Sequence, residues 1–136
     1  MEYISQITLD MEPGGAIPVV TIKQGDAASR FILVTLTDHH EKVLPGSGTK
    51  AYFREKLPDG TVVTFDSATA DQGLRRRLVT VNSDGSIRVE IPGQATACAG
   101  RCLCDLCLEE NGKTISSAAF VLNVLRSPNE ARPPRL

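Results

Sequence analysis

A chain of 136 residues with 41% hydrophobic and 23% charged side chains has the size and make-up of one globular domain with a buried core. Fifteen basic against sixteen acidic side chains leave a formal charge of −1. That balance excludes the basic footprint of a nucleic-acid binder and any strong pull towards anionic membranes. Trp is absent and there are only two Tyr, too few for a platform that stacks single-stranded bases.

The opening MEYISQITLD has neither a basic n-region nor an apolar h-region, and no apolar run approaches the ~20 residues that span a bilayer. The expectation is a chain made in a cytosol without a signal peptide, where disulfides are rare. Residues 3–9 alternate as a short strand, Tyr3, Ser5, Ile7 and Leu9 on one side and Ile4, Gln6 and Thr8 on the other. MEPGG breaks the chain, because Pro and paired Gly favour a turn. IPVVTIKQGD is β-branched and closed by Gly25-Asp26. RFILVTLTD is apolar on both faces and suits a central strand. DHHEKVLPGSG reads as a polar connection.

TKAYFREKLPDGTVVTF predicts a hairpin, with Ala51 and Phe53 on one face and Tyr52, Arg54 and Lys56 on the other. Its turn is Pro58-Asp59-Gly60, where Pro presets φ and Gly accepts the left-handed position. RLVTVNSDGSIRVEI repeats the design. Val79 and Val81 lead in, Asn82 to Gly85 turn, and Ile87, Val89 and Ile91 lead out with Ser86, Arg88 and Glu90 facing water. PGQATACAG predicts one short helical turn near 93–99, stopped by Gly100. AGRCLCDLCLEENGKTISSAAFVLNVL (99–125) then folds two long strands back on each other around Asn111-Gly112. Together these make an all-β fold, an antiparallel immunoglobulin-like β-sandwich of about eight or nine short strands. It spans 1–125, and RSPNEARPPRL at 126–136 forms a Pro-rich C-terminal tail or linker.

Four cysteines, Cys98, Cys102, Cys104 and Cys107, fall within ten residues and form the only candidate metal-ligand set. Strand alternation argues against ligation. It puts Cys102 and Cys104 with Leu106 and Leu108, and Cys107 with Leu103, Asp105 and Glu109 on the opposite face, so no tetrahedron closes. Cys102 and Cys104 are then core residues and Cys107 a semi-exposed thiol. His39 and His40 are adjacent in a polar loop, and Arg75, Arg76 and Arg77 read as a solvated basic run. No paired carboxylates, phosphate loop or nucleophile motif appears. Neither an enzyme nor a cofactor is expected.

TIKQGDAASRFILVTLTD, AYFREKLPDGT and NSDGSIRVEIPGQATACAGRCLCDLCLEENGKTISSAAFVLNV, in that order and spacing, resemble a known family. It is the N-terminal domain of the upper baseplate protein (BppU-type) of tailed phages and prophages of Gram-positive bacteria. The resemblance spans Ile17 to Val124. It implies an immunoglobulin-like sandwich that anchors a baseplate subunit to the tail hub, with other tail and baseplate proteins as partners. It also implies a homo-oligomer within the assembly, a place in the virion tail after synthesis in the host cytoplasm, and no nucleic-acid or membrane partner. The family has no sharp binding motif, so the interface residues are not assigned. Two other classes remain: a carbohydrate- or cell-surface-binding sandwich using loop residues such as Tyr52, and a small metal or redox domain built on the four cysteines.

Overall fold

The computed structural model describes residues 3–11, 17–24, 30–39, 41–43, 48–70 and 76–126. Of the expected tail at 126–136, all but Arg126 lies outside them, as does the Gly25-Asp26 turn. The described residues form ten strands: β1 (Tyr3–Asp10), β2 (Val19–Lys23), β3 (Arg30–Asp38), β4 (Glu41–Lys42), β5 (Lys50–Lys56), β6 (Val62–Asp66), β7 (Val79–Val81), β8 (Ile87–Glu90), β9 (Gly100–Glu110) and β10 (Lys113–Leu125). A single 3-10 turn at Gly93–Thr96 is the helical element expected near that position.

One sheet runs β1-β3-β8-β7, with β4 paired to the end of β3; the other runs β2-β10-β9-β5-β6. β3 is central, as its two apolar faces require. Period-two alternation sends Leu9, Ile32, Val34, Leu36, Val79, Ile87 and Val89 inward from the first sheet. From the second come Val20, Ile22, Ala51, Phe53, Cys102, Cys104, Leu106, Leu108, Phe120, Leu122 and Val124, and the two sets form one core. Phe53 sits at its centre, with ring centroids 6.2 Å from Phe65 and 6.0 Å from Phe120. Each large aliphatic or aromatic side chain removed from water here contributes about 1.5–3 kcal/mol.

The turns form where the residue chemistry permits them. Asn111 and Gly112 have φ of 52° and 78°, the double left-handed geometry that matches the twist of a two-residue hairpin. Gly60 closes the Pro58 turn at φ 90°, and the Thr61 amide donates to Asp59 Oδ1 at 2.9 Å.

Two expectations need correction. The sheets are mixed rather than purely antiparallel, since β1–β3 and β2–β10 run parallel. The chain leaves the first sheet after β1, contributes β2 to the second and returns as β3, so β1 and β3 point the same way. Ser86 and Glu90 do not face water but are 6% and 7% exposed. Ser86 is folded into its own turn by Asp84 and Asn82, and Glu90 accepts a bidentate pair from Arg76. Within the polar connection after β3, β4 pairs Lys42 with Thr37 and Glu41 with Asp38.

Gly100, at the start of β9, has φ 131°, and a Cβ there would lie 2.9 Å from Pro58 Cγ. Gly100→Ala is therefore expected to lose about 1–3 kcal/mol of stability in urea unfolding. Adding Pro58→Ala recovers only the part due to the clash, leaving the backbone strain. Additive losses in the double variant would contradict this account.

Candidate functional site

The cysteine strand comes first, since it carries the sequence's only candidate chemistry. β9 places Cys102 and Cys104 inward at 0% and 3% exposure, in line with Leu106 and Leu108. Burial pushes the Cys102 thiol up to about 12 and the Cys104 thiol higher still, so neither is a nucleophile near neutrality. All four thiols are free. Cys98, half-buried, donates to Asp59 Oδ2 at 3.4 Å, which raises its own pKa. Among the described residues, no three His, Cys, Asp or Glu side chains converge on a point suited to a metal ion.

Cys107 points to the outer face, as alternation requires, but it is not semi-exposed. It is 6% exposed because its cross-strand neighbours fold over it. Arg54 forms a two-pronged ion pair with Asp105, with Nε 2.8 Å from Oδ1 and Nη2 2.9 Å from Oδ2. The same Nη2 lies 3.0 Å from Cys107 Sγ, and the thiol in turn is 3.5 Å from Asp105 Oδ1. Burial raises the thiol's pKa, Asp105 adds to that, and Arg54 pulls the other way. This corner is a capped, protonated thiol.

Glu55 is the residue that sequence reasoning missed. Ala51 and Phe53 define the inner face of β5, and two residues on, the same face falls on Glu55. It is 1% exposed and paired in register with Cys104. Neither carboxylate oxygen has a hydrogen-bond partner. Burial pushes its pKa up to about 7, while the nearby Cys102 thiol pulls it down a little without being placed to complete a bond. The signal was present in the alternation itself.

The remaining candidates scatter. His39 lies on the surface at φ 53° with Nδ1 3.0 Å from Asp38 Oδ1; His40 and Arg75 lie outside the described residues. Arg76 is not simply solvated, since it holds Glu90 across the outer face of the first sheet. Tyr52 sits within β5 rather than in a loop, and its hydroxyl is 3.2 Å from Glu109 Oε1. Two shallow hollows mark the outer face of the second sheet. One of about 420 Å³ includes Ile17, Val62, Leu103 and Val121 in its lining, and one of about 400 Å³ is lined by Tyr52, Arg54, Thr64, Cys107, Glu109 and Thr114. The geometry offers surfaces for contact rather than an assembled set of reacting groups.

Glu55 makes stability depend on pH in a definite direction. The folded chain keeps its proton up to about pH 7, whereas the unfolded chain releases it near the ordinary 4.5. Its contribution is therefore full below about pH 4.5 and declines as pH rises towards 7. Above that, ionisation costs on the order of 3 kcal/mol. Glu55→Gln is expected to raise the thermal midpoint at pH 8, with the advantage shrinking towards pH 5. A gain that does not vary with pH would point to packing instead.

No family model matches the chain, and no curated protein matches it in sequence. Among solved structures, its fold matches the N-terminal domain of phage TP901-1 ORF48 with a TM-score of 0.61. The match has 18% sequence identity and covers 90% of this chain and 98% of that one. At that identity the likeness is one of fold, and it agrees with the family resemblance carried by the sequence. The chain shares the β-sandwich fold of that phage domain.

Proposed function

We propose that the chain is a structural component of a phage or prophage tail baseplate, attaching to the tail hub and helping to assemble the receptor-binding apparatus. The observation that supports this reading most is the fold match along nearly the full length of both chains, since the neighbour is the N-terminal domain of a phage protein. The order of the KQGD, PDGT, GSIRVEIPGQ and NGKTIS segments points the same way from the sequence side.

The mechanism is assembly by contact. β1 and β7 end one sheet, and β2 and β6 end the other. Among the described residues such edges carry backbone donors and acceptors with no strand beside them, a template on which a neighbouring subunit can add. Several copies around a tail axis make symmetric contacts, so a homo-oligomer belongs to the assembly. The Pro-rich segment at 126–136 suits a tether between this domain and whatever it carries.

Tails purified from the phage that encodes the chain are expected to contain it at a fixed copy number by quantitative mass spectrometry. Deleting its gene is expected to give particles that lack receptor-binding protein and fail to adsorb. A chain found in the host extract but missing from purified tails would overturn the reading.

A further inference from the structure

Six large hydrophobic side chains are exposed among the described residues: Ile4, Ile17, Val19, Val62, Leu103 and Leu125. Single exposed hydrophobics are ordinary, but these are not scattered. Only Ile4 belongs to the first sheet; the other five lie on β2-β10-β9-β5-β6 or at its margin. Strand register aligns them further. Val19 pairs with Val121, Val121 with Leu103, Leu103 with Lys56, and Lys56 with Val62. One row of directly opposed side chains thus crosses all five strands, a span of about 20 Å at the usual strand spacing. Val19, Val62 and Leu103 are 51%, 60% and 63% exposed, and Ile17 extends the row at 57%. Ile17, Val62, Leu103 and Val121 line the 420 Å³ groove.

Three cations surround the row. Lys56 stands in it, Arg101 lies one outward-facing position along β9, and Lys23 pairs with Leu125 further along the same face. All three are exposed, and among the described residues none has a carboxylate partner. Asp105, next to Leu103 among the outward-facing positions of β9, is already held by Arg54. A second copy of the chain would bring the same cations against them. The chain's own C-terminal segment, three arginines against one glutamate over 126–136, would do the same. A bilayer calls for protruding side chains, whereas this row borders a groove that receives them.

We propose that this row is the docking face for a baseplate protein whose matching surface presents aliphatic side chains flanked by Asp or Glu. The proposal rests on the tail-assembly reading and adds the face and the chemistry of its partner. Aliphatic side chains filling the groove supply the burial, and the partner's carboxylates set orientation against Lys23, Lys56 and Arg101.

The test supplies the full-length chain in trans to phage lacking its gene and measures the amount retained in purified tails. Leu103→Asp and, separately, Val62→Asp are expected to lower incorporation at least tenfold while thermal unfolding stays close to the parent, because both sites are exposed. Lys56→Glu with Arg101→Glu is expected to lower it by a similar factor. Ile4→Asp, on the other sheet, should leave it unchanged. Parent chain absent from tails sinks the tail reading itself. Parent and Leu103→Asp retained equally sinks only the docking face, and normal retention of the double charge reversal overturns the acidic partner. Concentration-dependent dimerisation of the free chain that Leu103→Asp abolishes would put a second copy on the face and overturn the proposal. So would Leu103-dependent sedimentation with phosphatidylglycerol vesicles, which would put a membrane there.

Discussion

The register of β9 against β10 is the constraint from which the rest of the second sheet follows. Side chains directly opposed on two strands share a face, so pairing decides what enters the core. The hairpin leaves Asn111-Gly112 with Lys113 opposite Glu110 and Thr114 opposite Glu109, then shifts register before Ser116 meets Leu108. That irregularity inserts one residue into β10 and reverses its parity. Phe120 and Leu122 thereby face Cys104 and Cys102 across the hairpin, and both are buried. Without the shift, Ala119 and Val121 would take those places and the core would lose a ring and a leucine. β5 and β2 then pair along the two free sides of the hairpin and inherit its division into inner and outer faces.

Much of this was legible because alternation is a local property. YFREK, SIRVEI and CLCDLCL each show their period within a few residues, and the turns carry Gly or Asn where φ must be positive. Parallel pairing was not legible. Whether β1 lies beside β3 depends on β2 crossing to the other sheet, which no stretch of residues encodes alone. Burial of polar outer residues failed for a related reason. Glu90 and Cys107 are covered by Arg76 and Arg54, which lie 14 and 53 residues away in sequence. A face assignment tells where a side chain points, and only its cross-strand neighbours tell whether water reaches it.

Glu55 is the opposite case, where the period was clear and the residue type misled. A carboxylate in the run Ala51, Phe53, Glu55, Leu57 is naturally read as surface, yet all four are buried. Keeping an unsatisfied acid in a core is costly unless the group holds its proton, which its raised pKa allows up to about 7. The neighbouring thiols suit that arrangement. Small, polarisable and protonated, Cys102 and Cys104 bring no competing charge to the carboxyl. Cys102 and Cys104 are thus part of this interior.

One strand therefore serves two purposes that its pleat keeps apart. On β9 the even positions, Cys102, Cys104, Leu106 and Leu108, hold the two sheets together from inside. Of the odd positions, Arg101 and Leu103 meet solvent, while Asp105 and Cys107 are tied to Arg54. Changes at exposed strand positions usually move stability by less than about 0.5 kcal/mol, whereas truncating a buried leucine costs about 2–5 kcal/mol. A surface at Leu103 can then be tuned to a partner with little effect on folding, and the core can be repacked with little effect on the surface. The alternation that splits the cysteines between two faces is what separates the buried scaffold from the exposed surface.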